Sequence, residues 1–183
     1  MLEHLAKGHT IAPGVSIRTL VQNDADELAA ALKRNREHLA PWDPLRTDAF
    51  FTATHQRRII AAKELLLISG QEVPLVMTDD AGAVVGALTL SGIVRGPFLS
   101  ANLGYWVDYG HTGKGLCAAA VEFTLRTCRG MGLHRVQAST LLHNHASRAV
   151  LRKTGFTEIG VAPTYRRIAG TWQDHVLHQR ILD

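Results

Sequence analysis

The stretch from Leu103 to Ala120, LGYWVDYGHTGKGLCAAA, limits the fold of this chain more than any other. Leu103 to Val107 has the β-forming character of a strand, Gly110 to Gly115 is a glycine-rich turn, and a helix is predicted from Leu116. Gly113 and Gly115 remove side chains where a ligand would need to approach the backbone closely. The first amides of the helix have no intrahelical partners, and the helix dipole favours negative charge beside them. His111 and Lys114 add donors and positive charge to the same turn. Strand, turn and helix start together form a cradle for phosphate; the alternative is a tight strand-to-helix connection with no ligand.

The remainder of the chain supplies the frame. Val15 to Leu20 alternates apolar positions as a strand does, and Asn23 or Asp24 caps a helix reaching about Asn35. Residues 1–13 read as a loose arm or an edge addition. Pro41 and Pro44 break the helical pattern, and Thr47 to Ser69 reads as a second, long amphipathic helix. Leu75 to Thr78 and Val84 to Ser91 form a hairpin around Asp79-Asp80-Ala81-Gly82, with Val84 to Leu90 the expected partner of Leu103 to Val107. Ile93 to Asn102 reads as a loop. After the glycine turn come a helix to about Arg129, a strand (Leu133 to Leu141) and a short helix (Ala146 to Lys153) stopped by Gly155. Phe156 to Val161 and Asp174 to Ile181 are two further strands, joined through a turn at Ile168 to Thr171.

With 183 residues, 46% of them apolar, the chain is long enough for one domain over 1–183 with its own core. Its formal charge of +4 suits an anionic ligand, but the basic residues are dispersed, which argues against specific DNA binding. The longest aliphatic run, Leu65 to Ile68, is far short of the ~20 residues of a membrane span, and MLEHLAKGHT has no signal-peptide pattern. A soluble cytoplasmic protein is expected. Cys117 and Cys128 fall on one helix, separated by ~16 Å of rise against the ~7 Å a disulfide tolerates, so they are read as packing thiols. The position of Cys117 near the helix start gives it some thiolate character. His143-Asn144-His145 suggests two rings on one side of a strand end, but no third ligand follows at a typical spacing, so no metal is expected. His175 and His178 are read as surface or interface residues.

Two phosphate motifs fail at the turn. A P-loop needs a hydroxyl after Gly-Lys, yet Gly115 follows Lys114 and Asp108 stands where the first glycine belongs. Gly113-x-Gly115-x-x-Ala118 satisfies the dinucleotide spacing. However, Ser139 to Leu142 offers no acidic residue for the ribose, and the ~70 residues left are too few for that sheet.

The blocks GYWVDYGHTGKGLCAAAVEF and HNHASRAVLRKTGFTEIG resemble the acetyl-CoA site of the GNAT superfamily of N-acetyltransferases, and more narrowly its RimJ/RimL branch. The resemblance extends to NREHLAPWDPLRTDAFF and GTWQDHVLHQRILD, and so covers most of the chain. It implies an α+β GNAT fold, with a central, mostly antiparallel splayed sheet of about seven strands flanked by about four helices. It implies an enzyme that transfers acetyl from acetyl-CoA to a primary amine, above all the N-terminal α-amine of a protein such as a ribosomal protein. Ribosome association and a homodimer come with the same resemblance, and no metal does. Tyr105, Trp106 and Val107 match the strand whose backbone pairs with pantetheine. Gly110, His111, Thr112, Gly113, Lys114 and Gly115, with Leu116, match the pyrophosphate motif, Gly110 replacing the usual Gln or Arg. Asn144 matches a cofactor-contacting asparagine, and Ser147 a serine near the cofactor sulfur. Ser147 is equally readable as a helix cap.

Direct transfer needs a neutral amine and a proton for the departing thiolate. Ser147 and Tyr165 are the candidate proton donors. Trp42, Asp43 and Arg166 are the candidate acceptor-site residues, with a core plug the other reading of Trp42 and a plain surface arginine that of Arg166. Arg166 occupies the place of a glutamate that serves RimL-like enzymes as base. Two other readings stand beside this one: acetylation of a small amine, and a non-catalytic acyl-CoA-binding module. The missing carboxylate favours weakly basic acceptors. At pH 7.4 an α-amine of pKa ~7.8 is about a quarter neutral, and a lysine of pKa ~10.4 about 0.1%. Peptides with a free N-terminus should therefore be acetylated well ahead of N-terminally blocked peptides carrying lysine, as read by thiol release from acetyl-CoA. A preference for the blocked lysine peptides contradicts this.

Overall fold

The computed structural model describes residues 3–182. Five strands, β1 (His9–Ala12), β2 (Val15–Thr19), β3 (Val73–Asp79), β4 (Val84–Val94) and β5 (Ser100–Val107), pair antiparallel in sequence order. β6 (Arg135–Leu141) lies parallel to β5. The last two strands, β7 (Thr157–Ile168) and β8 (Thr171–Ile181), form a hairpin whose second strand inserts between β6 and β7. The sheet thus has eight strands in the order β1-β2-β3-β4-β5-β6-β8-β7. The helices are α1 (Ala25–Arg34), α2 (Arg36–Leu39), α3 (Ala53–Ile68), α4 (Leu116–Gly130) and α5 (His145–Lys153). No helix among the described residues is long and apolar enough to cross a membrane.

Period-two alternation divides the core into two layers. Leu75 and Met77 of β3 face one side, where Ala120, Val121 and Leu125 of α4 and Leu151 of α5 are buried with them. Val76, between them in sequence, faces the other side and packs with Leu28, Ala31 and Leu32 of α1, Ile60 of α3 and Val84. Both faces of β3 are therefore covered, and its first five residues are buried without a break.

Several elements depart from the sequence-based expectation. The eighth strand is β1, the edge-addition reading of residues 1–13, and the 3-10 turn ahead of it places Leu5 fully in the core. The first helix does end where expected, at Arg34 with Asn35 as its cap, and the Asn35 side chain turns back to the Ala31 carbonyl and across to Asp108. α3 starts at Ala53 rather than near Thr47. The Thr52 side chain accepts from the His55 amide, and a 3-10 turn, Asp48–Phe51, precedes it. Nor is α3 cleanly amphipathic: Gln56 and Ile60 are its buried residues, while Leu65 and Ile68 are 69% and 83% exposed. Half of the expected loop from Ile93 to Asn102 is strand, since β4 continues to Val94 and β5 begins at Ser100.

One feature of the sheet makes room for a site. β5 pairs with β6 only from Ser100 to Asn102, opposite Arg135 to Gln137. Beyond that point β5 keeps its antiparallel partner β4, β6 keeps β8, and the two strands part. Gly86 of β4 sits opposite Val107 and keeps the diverging strand in place, because a Cβ there would lie 2.7 Å from the Trp106 carbonyl oxygen and against Met77 Cε. The Met77 side chain can rotate away; the carbonyl of a paired strand cannot. Gly86→Ala should cost about 1–3 kcal/mol of stability through overpacking, read from a urea midpoint, and should weaken CoA binding by displacing Trp106 and Val107. A loss within experimental error would show that β5 can yield at this position.

Candidate active site

The glycine turn adopts the backbone that its sequence suggests. Gly113 and Gly115 have φ of 73° and 77°, the left-handed region that side chains disfavour. A Cβ at either position would meet nothing within 4 Å, so the requirement for glycine lies in the backbone. Gly115 caps α4 without a side-chain bond, and the first helical amide bond runs from Ala119 to the Gly115 carbonyl. The amides of Leu116, Cys117 and Ala118 thus stand as the unpaired donors of the helix N-terminus. The turn is closed by its own side chains. Lys114 Nζ donates to the Gly110 carbonyl at 2.8 Å, and Thr112 Oγ1 to the Tyr109 carbonyl at 2.8 Å.

Asp108 anchors this turn to α1. Its Oδ2 accepts from Arg34 Nε at 2.8 Å and Asn35 Nδ2 at 2.7 Å, and its Oδ1 from the Gly110 amide at 2.8 Å. Asn35 Oδ1 in turn accepts from the Tyr109 amide at 2.9 Å. Asp108 is 5% exposed. Burial alone would raise its pKa, but the bonds from Asn35, Arg34 and the Gly110 amide outweigh it and bring the carboxyl down to about 2. His111 Nδ1 lies 3.7 Å from the same carboxylate.

Two cavities meet where β5 and β6 part. The first, of about 430 Å³, is lined by Tyr105, Trp106, Val107, His111, Thr112, Gly113, Gly115, Leu116, Asn144 and Ser147, with Trp42 at its edge. The structure brings together these residues singled out from the sequence; Gly110 and Lys114 brace the turn from outside the lining. The second, of about 480 Å³, shares Trp42, Tyr105, Trp106, Asn144 and Ser147 with the first and adds Asp43, Arg166 and His175. At the junction Tyr105 Oη and Ser147 Oγ lie 2.8 Å apart. Asn144 is the cap of α5, its Oδ1 accepting from the Ser147 amide at 3.0 Å, which leaves the Ser147 hydroxyl free for Tyr105. Burial raises the Tyr105 pKa far above that of an ordinary phenol, so it stays protonated.

A third cavity, of about 540 Å³, continues the second outward past Thr89, Leu103, Gly104, Ser139 and Arg166. Tyr165 lines this outer groove and neither of the two cavities that hold Ser147. Asp43 is fixed by Arg46 at 2.7 Å, and its carbonyl accepts from the Ala169 amide of the β7–β8 turn. His143 and His145 leave the strand before any shared face forms: β6 ends at Leu141, the His143 ring lies 5.5 Å from Trp42, and His145 opens α5. The surface reading of His175 and His178 is corrected as well. Both are buried, at 3% and 2% exposure, because β8 is flanked by β6 and β7. Burial also overrides the expected thiolate character of Cys117, pushing its pKa up to about 11. Among the described residues, no three His, Cys, Asp or Glu side chains gather in a way that could hold a metal ion.

Sequence reasoning missed the roles of Asn35, Asp108 and the Tyr105 side chain. Asp108 registered only as a misplaced glycine, and Tyr105 only for its backbone. The signal available was a lone acidic residue between strand and turn, which has meaning only once α1 is seen to reach it.

A splayed β5–β6 pair, a glycine cradle at a helix start and a hydroxyl pair between two cavities suit a phosphate-bearing ligand held against a second substrate, in keeping with the acetyl-CoA that the sequence resemblance implies. Residues 15–157 match the family described as the acetyltransferase (GNAT) domain. The chain is 31% identical to the ribosomal protein uS5-alanine N-acetyltransferase of Escherichia coli (strain K12), over 88% of this chain and 84% of that protein. Among solved structures, the ribosomal-protein-S5-alanine acetyltransferase of Vibrio fischeri superposes with a TM-score of 0.92 at 32% identity, covering 97% of both chains. RimJ of Mycobacterium smegmatis in complex with CoA-disulfide superposes with a TM-score of 0.87 at 32% identity, covering 91% of this chain and 81% of that one. The chain belongs to the GNAT family of acetyl-CoA-dependent N-acetyltransferases, in its RimJ/RimL branch.

The depressed pKa of Asp108 makes a stability prediction with a definite sign. Its stabilisation is complete above the unfolded-state pKa near 3.8 and is lost as pH falls through about 2. Because the Arg34 side chain is 39% exposed, the contribution is put at about 1–2 kcal/mol. Asp108→Asn should be less stable than wild type by that amount at pH 7, the difference closing toward pH 2, and should bind CoA more weakly. A difference that does not change with pH would show that the carboxylate charge is not what holds the turn.

Proposed function

We propose that the acceptor is the N-terminal α-amine of a protein, with a ribosomal protein the example suggested by the relatives' names. The observation that carries this reading is the length of the acceptor side. The 480 Å³ cavity beside Ser147 continues into the 540 Å³ groove, and together they run along the unpaired edges of β5 and β6. Free backbone donors and acceptors on those edges suit an extended peptide, which can add to a strand edge through its own main chain. A small amine would leave the outer groove unused.

The residues fit the co-substrate as follows. The amides at the start of α4 and the open backbone at Gly113 and Gly115 supply donors for a pyrophosphate, and the exposed β5 edge at Tyr105 to Val107 supplies partners for an amide-bearing arm. Bound acetyl-CoA supplies an activated acetyl thioester. Tyr105 keeps its proton and passes it toward the departing sulfur through Ser147, 2.8 Å away. Tyr165 and Arg166 line the groove where the residues after the reacting amine would lie.

If binding in the outer groove is used in the reaction, kcat/KM should rise about tenfold or more as an alanine-starting peptide is lengthened from one residue to five. Ser147→Ala should lose about 10²-fold in kcat with CoA affinity preserved. Spermine turned over as efficiently as the longest peptide would overturn the peptide reading.

A further inference from the structure

With Arg166 in place of the carboxylate, the site lacks an evident base, and a different strand supplies one. His175 of β8 lines the acceptor cavity together with Tyr105, Ser147 and Arg166. Its backbone pairs with Leu141, the last residue of β6, just ahead of the turn in which Asn144 and Ser147 open α5. The ring is buried, and its Nδ1 lies 3.0 Å from the Gln173 carbonyl. A carbonyl can only accept, so Nδ1 carries the hydrogen and Nε2 presents its lone pair.

We infer that His175 is the general base of the acetyl transfer, a role that rests on the acceptor cavity proposed above. Nε2 takes one proton from the acceptor ammonium. The lone pair of the neutral amine then forms the C–N bond as the C–S bond breaks. The second amine proton balances the thiolate by way of the Tyr105–Ser147 hydroxyls, and His175 releases its proton to solvent. The products are the N-acetylated amine and CoA thiol.

The charged and titratable groups around the ring are compatible with this role. Burial holds the His175 pKa below its ordinary value, and Arg166 on β7 acts in the same direction, while the Gln173 carbonyl and Asp174 on β8 oppose them. Tyr165 of β7 lies with its ring 5.7 Å away. Across the cavity, Asp43 is paired with Arg46, and Lys63 with Glu72. Asp43, the carboxylate among the residues lining this cavity, is thus committed to a cation, and the lowered pKa keeps His175 neutral near pH 7.

The test compares wild type with His175→Asn, whose side-chain amide can keep the bond to Gln173 while losing the lone pair. Acceptors are a free alanine-starting pentapeptide and spermine, at saturating acetyl-CoA. The variant should keep wild-type CoA affinity and lose about 10²–10⁴-fold in kcat with whichever acceptor the wild type uses. The acid limb of the wild-type kcat profile should fall below pH 6.5 and be absent from the variant. A variant within threefold of wild type overturns the role. A peptide that is inert while spermine reacts removes the peptide reading and leaves this comparison intact; a wild type inert toward both overturns the base as well. Nitrogen-15 NMR of the CoA-bound wild type needs no variant: an unprotonated Nε2 titrating with the acid limb supports the role, and an Nε2–H tautomer at pH 7 overturns it.

Discussion

Parallel pairing between β5 and β6 stops at Asn102 and Gln137, and the two strands part with a row of backbone donors and acceptors facing the gap on each side. Inside a sheet such groups must find partners, and an interruption of this kind persists only where something else meets them. The chain meets the structural side of that demand by holding each strand firmly on its other flank, β5 against β4 and β6 against β8. In the function proposed above, the cofactor arm and the acceptor peptide meet the chemical side. The cavity beside the glycine turn and the cavity beside Arg166 meet at this gap, and Tyr105, Asn144 and Ser147 line both. The fold thus brings two substrates together by leaving out hydrogen bonds that an ordinary sheet would make.

A gap of this kind needs fixed walls, and the Asp108 cluster fixes one of them. A single buried carboxylate joins α1, through Arg34 and Asn35, to the amide of Gly110. The same Asn35 breaks the first helix and orients the Tyr109 amide. One asparagine therefore sets where α1 ends, where α2 begins and how the turn starts. This is the sense in which the helical layer on one face of the sheet controls the backbone that faces the cofactor on the other.

The local signals that sequence carries are short-ranged, and what was legible follows that range. Strand, glycine turn and helix from Leu103 to Ala120 could be read because their determinants are neighbours: β-formers, Gly113, Gly115, and then a run of small helix formers. The pairing of β4 with β5 was legible for a similar reason. Asp108 was not, because its partners lie more than seventy residues away and no period links them. His175 and His178 looked like surface residues because a final strand is commonly an edge. The topology instead places β8 inside the sheet and leaves the edge to β7, whose residues are almost all exposed. Burial of a strand residue depends on sheet order, and sheet order is a global property. Arg166 was read as standing where RimL-like enzymes carry a carboxylate, but finding another base depended on knowing which strand is β7's neighbour.

Moving the base from a carboxylate to a buried imidazole also changes the energetics in a direction consistent with the acceptor. Taking a proton from an α-ammonium of pKa ~7.8 to a carboxylate of pKa ~4.3 is uphill by about 5 kcal/mol. Taking it to an imidazole of ordinary pKa ~6.5 is uphill by about 2 kcal/mol, and the lowered pKa of His175 acts to raise that cost. For a lysine of pKa ~10.4 the same transfer to histidine again approaches about 5–6 kcal/mol. The imidazole lowers the cost for both amines alike, and the ~2.6-unit gap between their pKa values, about 3.5 kcal/mol with any base, is what favours the α-amine without any contact to the rest of the acceptor. With His175 as the proposed base and a protein N-terminus as the proposed acceptor, selectivity between the two amines follows from their own proton affinities, and selectivity among proteins from the groove beyond them.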